Sequence, residues 1–249
     1  MKGANFSVEE RADQYVEAIN FYLKKQMKVV FAENSGCIDI VANHFQGMGD
    51  DVECVDVSGA EYDQSRGKGY NETILIKKAI ARSKMISEAG CFFKLTGRLK
   101  LLNVEKMLAE VSSLIARQTS FDFIADCKDH RVYEWLRMPI NGHAGECRYW
   151  YATNDFFMQR MCPKLNQMND YTEPPVLAED VMLQVCRETR GMTGCRDRFR
   201  TQARISGRGG HNLGKGFSFF YSTDNDSLAL KAKCGLRQLM RWIMPWWRV

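Results

Sequence analysis

Two short stretches carry side chains suited to holding an anion, and a third carries paired acids. Phe92-Phe93-Lys94-Leu95 ends on Thr96-Gly97-Arg98, and a second apolar run begins at once with Leu99. A strand ending there presents a hydroxyl, a flexible backbone turn and a fixed positive charge. In open α/β sheets, ligands gather outside the carboxyl ends of the strands. The second stretch is Ser65-Arg66-Gly67-Lys68-Gly69-Tyr70-Asn71-Glu72, just ahead of a helical segment. Glycines before a helix N-terminus let backbone N–H groups reach an anion. It is not a Walker motif, because the first glycine and the Ser/Thr after the lysine are missing, and a solvated turn is the competing reading. The third stretch, Glu179-Asp180, opens a helix, where acids can either move protons or simply cap.

The elements that must position these residues follow from hydrophobic spacing. Val8, Ala12, Tyr15, Val16, Ile19, Tyr22 and Leu23 share one face of a helix over 8–26, with Ser7 and Glu10 as its capping box. Val29-Val30-Phe31 is a short strand ending on Glu33-Asn34-Ser35-Gly36, and 52–57 is a second strand. A helix over 73–86 buries Ile74, Ile76, Ala79, Ile80 and Met85, and the Phe92–Leu95 strand follows. This order argues for a parallel sheet covered by helices. Further on, 104–117 is an amphipathic helix with Met107, Leu108, Val111, Leu114 and Ile115 inward, and 121–125 is a strand. Residues 126–145 read as a polar, substrate-facing loop. An aromatic strand spans 147–152, a short helix with an Asn/Asp cap spans 155–161, and Pro174-Pro175 breaks the chain. A helix spans 181–188, a glycine-rich basic segment 204–216, and a last strand 217–222.

With 249 residues, 45% apolar and 26% charged, the composition is that of a globular protein with one sizeable core. No apolar run is long enough for a transmembrane helix, and the N-terminus lacks a signal-peptide core. Nine scattered cysteines without a C-x-x-C pair point to reduced thiols in a cytoplasmic protein rather than zinc ligands or a disulfide framework. The net charge of +5 is uneven: residues 187–249 hold 13 Lys/Arg and 4 Asp/Glu, a net of +9, leaving −4 for the rest. Such asymmetry suggests an anionic surface as partner.

The tail concentrates that charge. Ala232, Leu236, Leu239/Met240, Ile243 and Trp247 recur at helical spacing, Lys233, Arg237 and Arg241 line another face, and Trp242, Trp246 and Trp247 cluster at the end. This is the pattern of a helix lying in a membrane interface. The competing reading is a helix docked on the protein's own core with snorkelling basic residues. The expected division is a domain over 1–222 and a basic amphipathic helix over 223–249.

Glu33-Asn34-Ser35 after a strand, Gly67-Lys68-Gly69-Tyr70 with Glu72, and Lys94-Leu95-Thr96-Gly97-Arg98 with Asn103 together resemble bacterial capsule and lipopolysaccharide glycosyltransferases of the GT-A type. The resemblance is best over 8–103. It weakens at Glu146-Cys147-Arg148-Tyr149-Trp150, where relatives carry Asp-Thr-Arg-Phe-Phe, and returns at Glu179-Asp180 and Ile205-Ser206-Gly207. It implies an α/β, Rossmann-like, mostly parallel sheet with helices on both faces, binding a nucleotide-diphosphate sugar, with a UDP-sugar first. The implied donor-binding set is Glu33, Asn34, Ser35, Lys68, Gly69, Glu72, Lys94, Thr96, Gly97 and Arg98.

Where such enzymes carry a metal-binding Asp-x-Asp, this chain reads Thr96-Gly97-Arg98. A guanidinium can neutralise a departing diphosphate bidentately, so Arg98, helped by Lys68, is expected to face it. The structural alternative pairs Arg98 with Glu33 or Glu72. A divalent metal, manganese or magnesium, has Glu146-x-Arg148 as its competing site, with only one carboxylate. Glu179 and Asp180 resemble the acidic pair near the acceptor and are the expected catalytic base; Asp122, Asp126 and Asp129 are a second acidic option. The family's first, base-contacting strand has no counterpart in residues 1–6, so either the sequence starts inside the gene product or the strand is lacking.

The expected activity is sugar transfer to a surface-glycan or lipid-linked acceptor, with the protein peripheral on the inner face of the cytoplasmic membrane. The alternative is a catalytically degenerate transferase-like binding module, or a basic membrane-surface or nucleic-acid binder. No nucleic-acid partner is expected, since no recognised DNA- or RNA-binding motif is present.

Overall fold

The structure, a computed structural model, describes residues 7–34, 36–59, 62–118, 120–137, 142–212, 218–221, 228–244 and 247. Ser35 and residues 1–6, where the nucleotide-contacting strand was sought, lie outside them.

Helix α1 (Val8–Leu23) starts at the expected capping box: Glu10 N–H donates to Ser7 Oγ at 3.1 Å and Ser7 N–H to Glu10 Oε2 at 2.8 Å. Its buried face carries Ala12, Ile19 and Tyr22. The Tyr22 hydroxyl donates to the Leu99 carbonyl and accepts from Leu101 N–H, both at 2.8 Å. Strands β1 (Val29–Glu33) and β2 (Val52–Asp56) pair in parallel around helix α2 (Ile38–His44), as a βα unit should.

The helix expected over 73–86 is two helices, α3 (Lys68–Arg82) and α4 (Lys84–Ala89). Gly67 begins α3 at φ 90°, open only to glycine. Ser83 turns extended and stops it. The Glu53 carboxylate on β2 then accepts from the Ser83 hydroxyl and from Lys84 and Met85 N–H, which caps α4 from outside.

Next come β3 (Cys91–Leu95), β4 (Lys100–Leu101), α5 (Val104–Arg117), β5 (Phe123–Asp129), α6 (Val132–Trp135) and β6 (His143–Thr153). Helix α5 matches its expected bounds, although Ile115, expected inward, is exposed. Helix α7 (Asn154–Phe156), capped by Thr153 rather than an Asn/Asp side chain, continues through a π turn and a 3-10 turn to Gln167. After it come α8 (Ala178–Thr189), β7 (Cys195–Arg196), β8 (Ile205–Asn212), β9 (Ser218–Tyr221) and α9 (Leu228–Ile243).

The chain is mixed α/β with short sheets. The central sheet runs β3-β6-β5-β7, and β6 is antiparallel to both neighbours. Among the described strands only β1–β2 and β5–β7 pair in parallel, so the mostly parallel sheet expected is not what these pairings form. The cause is the β5-to-β6 connection. Its described residues carry only the four-residue helix α6, with no longer helix to bring the chain back across the sheet, and β6 returns antiparallel. The polar loop expected over 126–145 is strand at both ends, since β5 runs on to Asp129 and β6 starts at His143, with α6 between them. The glycine-rich segment over 204–216 likewise contains β8, which pairs with β4 and β9.

One core cluster packs Phe123, Trp150 and Phe157 against Met182 and Val185 of α8. A second, on the other side of the sheet residues, packs Ile124 and Tyr151 with Met107, Leu101 and Phe199. All nine cysteines are free thiols. Among the described residues no helix is long and apolar enough to cross a membrane.

Helix α9 returns to the body through polar groups. Arg241 Nη1 and Nη2 each meet an Asp126 carboxylate oxygen at 2.8 Å, and Gln238 Oε1 accepts from Gln202 N–H at 2.8 Å. Arg241 was expected on the open basic face of the tail; it is buried, because Asp126 inside the sheet needs a cation. Trp246, Arg248 and Val249 lie outside the described residues.

Candidate functional site

The carboxyl ends of β1 and β3 bring the expected residues into two adjoining groups. In the first, buried Lys94 of β3 reaches Glu72 of α3 at 2.7 Å, Thr96 Oγ1 at 3.2 Å and the Cys147 carbonyl of β6. These three partners match the three donors of an ammonium group, as a buried charge requires. Glu179 at the start of α8 belongs to the same neighbourhood. Burial pushes the Cys147 thiol well above its ordinary range, and the Glu179, Glu72 and Glu146 charges push it the same way, with Lys94 opposing. Cys147 is therefore a protonated thiol and no nucleophile.

The second group lies at the turn after β3. Gly97 stands so close to Tyr15 that a Cβ there would sit 3.0 Å from Cε1 of the ring. Burial raises the Tyr15 hydroxyl, and the charges of Arg98 and Glu33 both act on it, from opposite directions. Arg98 and Glu33 thus both lie within electrostatic reach of Tyr15, while Glu72, the other acid considered for Arg98, pairs with Lys94. Glu33 is buried and accepts from Cys37 N–H at 3.2 Å. Asn34 adjoins it, half-buried; Ser35 lies outside the described residues.

The Gly67-Lys68-Gly69 segment meets a carboxylate of its own chain. Lys68 N–H donates to Asp170 Oδ2 at 2.7 Å, and Arg66 grips the Met168 carbonyl through Nε at 3.0 Å and Nη2 at 2.8 Å. A Cβ on Gly67 would overlap the Asp170 side chain at 2.2 Å, and one on Gly69 would meet Ala178 Cβ at 2.7 Å. Both glycines therefore serve close approach, and the negative charge at the N-terminus of α3 comes from Asp170. The Lys68 side chain is exposed.

Helix α8 separates two concavities. One face, with Val181 and Val185, closes a cavity of about 30 Å³ lined also by Glu72 and Lys94. That is space for a water, far below what a nucleotide needs. The other face lines an open cleft of about 490 Å³ with Arg131, Glu134, His143, Asp180, Leu183 and Arg187, a size that accommodates a sugar-sized ligand. Asp180 also caps its helix, accepting from Leu177 N–H at 2.9 Å, so capping is at least part of its role.

Sequence reasoning named Asp129 as an acidic option but missed His143, Arg187 and Arg190, which gather on it beside this cleft. His143 Nδ1 lies 3.0 Å from Asp129 and Nε2 lies 3.1 Å from Glu134, while Arg187 and Arg190 meet Asp129 at 2.6 and 2.8 Å. Hydrogen bonds from Arg187, against a burial penalty, and from Arg190 and His143 hold the Asp129 carboxyl well below the ordinary carboxylate range. An acid so saturated and so weakly basic cannot serve as a general base at neutral pH. Asp126 is also unsuited: burial raises its carboxyl, but Arg241, Tyr149 and Phe199 N–H outweigh that and keep it ionised. The sequence held no local signal of this cluster, because Arg187 and Arg190 lie more than 40 residues beyond His143.

Glu146-x-Arg148 does not fit a divalent metal. The Glu146 carboxylate is clasped bidentately by Arg148, and among the described residues no group of three or more His, Cys, Asp or Glu side chains converges. No protein-family model, curated protein or solved structure matches the chain.

Proposed function

We propose that this protein is a glycosyltransferase of GT-A-like architecture, moving a sugar from a nucleotide-diphosphate donor, UDP-linked first, to a surface-glycan or lipid-linked acceptor. One observation carries the reading: the turn after β3 joins two charged groups, Lys94 with Glu72, Thr96 and Glu179 around Cys147, and Arg98 with Glu33 near Tyr15, drawn from four separate segments. Strand ends of this kind are where α/β proteins place ligands.

In this reading the diphosphate lies along the Thr96–Arg98 turn. Arg98 supplies the positive charge that offsets the departing nucleotide diphosphate, a fixed donor pair needing no reorganisation. Thr96 and the Lys94 ammonium order the turn, and no step is routed through a metal. The acceptor occupies the open cleft, and Glu179 or Asp180 takes the proton from its attacking hydroxyl. The two acids are neighbours in sequence at the end of α8 that adjoins both regions, and Glu179, less committed to capping, is the first to test.

A second reading, a transferase-like module that binds without catalysis, is favoured by the Asp170 carboxylate at the α3 N-terminus and the full engagement of Lys94.

Thermal unfolding with UDP-, GDP- and CMP-sugars tests the first reading. One nucleotide class should stabilise the protein, by about 2.7 kcal/mol at a hundredfold excess over Kd. Arg98→Ala should abolish that shift. Glu179→Gln should keep the shift and lose transfer. Stabilisation without turnover in any donor–acceptor pair would select the binding module, and no shift with any nucleotide would sink both.

A further inference from the structure

Among the described residues, the outward face of α9 is left uncovered. Leu228, Leu236, Leu239, Trp242 and Ile243 are 84, 61, 47, 66 and 59% exposed, whereas Arg241 is 7% exposed and faces Asp126. At 100° per residue the five apolar positions fall on one side of the helix, opposite Arg241. An amphipathic helix normally docks the other way round, apolar side inward. Here the buried carboxylate of Asp126 demands a cation, and supplying Arg241 to it turns the leucines out.

We propose that this stripe is the surface by which the protein lies on an anionic lipid bilayer. Three further observations select lipid over a protein partner. Residues 228–249 contain five Lys/Arg and no Asp/Glu, so the stripe is flanked by one sign of charge only, with Lys231 exposed beside it and Arg237 half-buried. Three of the chain's five tryptophans lie in the same 22 residues, and tryptophan is the residue of the headgroup boundary. The helix is 16 residues long, about 24 Å at 1.5 Å per residue, too short to span the hydrocarbon core and suited to lying flat.

The geometry assigns separate duties to residues that the sequence groups together. Lys231 meets lipid headgroups. Arg241 does not; it fastens the helix to the central sheet through Asp126, and Gln238 holds the irregular segment 200–202 beside it with bonds of 2.7 and 2.8 Å. The lipid-facing helix is thereby joined rigidly to the sheet. The inference stands on α9 alone and holds whether or not the cleft transfers a sugar.

Co-flotation of the full chain tests it, with vesicles of mixed phosphatidylglycerol and phosphatidylcholine beside vesicles of phosphatidylcholine alone. The protein should float with the anionic vesicles and be released by high salt. Leu236→Glu/Leu239→Glu should bind at least about tenfold more weakly while melting like the parent, because both side chains are exposed. Ile40→Glu, an exposed apolar position on α2, should float like the parent. Three results would overturn the proposal: a parent protein that stays at the bottom with anionic vesicles, a double variant that floats unchanged, or a concentration-dependent dimer in light scattering that Leu236→Glu/Leu239→Glu dissociates, which would make a second copy the occupant.

Discussion

Asp126 and Arg241 form an ion pair that solvent barely reaches, and its worth depends on both members being present. Breaking a buried pair by removing one partner costs about 3–5 kcal/mol, because the survivor is left charged and unsolvated. Arg241→Met should therefore lower urea stability by that amount, since Asp126 keeps only Tyr149 and Phe199 N–H as donors. Asp126→Leu/Arg241→Met should recover much of the loss, and a double-mutant cycle with no coupling would show that the pair does not act as a unit. Asp129 is an acid of another kind, held ionised at the rim of the cleft by Arg187, Arg190 and His143. Its folded-state pKa is depressed, so its stabilising contribution is fully present above the unfolded value near pH 4 and fades as pH falls below it. Because the arginines are partly exposed, the contribution is about 1 kcal/mol. Asp129→Asn should thus melt lower than the parent at neutral pH, and the gap should close in acid. A gap that widened in acid would reverse the sign of this reading.

At the scale of elements, helix α8 is set on the sheet by a missing side chain. A Cβ on Gly145 would stand 2.5 Å from the Met182 Cβ and 2.7 Å from the Leu183 amide nitrogen, backbone that cannot step aside. Gly145→Ala should destabilise by about 1–3 kcal/mol through overpacking, read from the unfolding midpoint, and Gly145→Val by more. Gly90→Ala at the C-cap of α4, where no atom lies within 4 Å, should feel only its left-handed backbone. Local periodicity made α5 legible to its ends and α1 to its capping box, because each buries one stripe and α1 carries its own Ser7–Glu10 cap. It failed at β6. His143 and Gly145 fall in the span read as loop, because His143 is polar where it lines the charged cleft and Gly145 is bare where α8 packs against it. It failed again on the orientation of α9, since spacing shows that a helix has two faces and cannot show which one a distant Asp126 will claim.

Across the whole molecule, the candidate site was half legible. The strand-end residues Glu33, Lys94 and Thr96–Arg98 stood out by position, and of these Lys94 and Thr96 meet directly. The partners that decide their state came from far along the chain: Asp170 on the Lys68 amide, Arg187 and Arg190 on Asp129, Cys147 on Lys94. Contacts between residues so distant in sequence leave no trace in composition or spacing. The same holds for Tyr22, whose single hydroxyl joins the Leu99 carbonyl to the Leu101 amide across the residues just after Arg98. That phenol is a cross-brace, and it places the first helix inside the architecture of the strand-end turn. Tyr22→Phe would leave a buried carbonyl and a buried amide stranded together while every residue that could touch a ligand stayed the same. A version of the chain trimmed to begin at β1 would keep the full inventory of strand-end chemistry and lose the fixture that gives it shape.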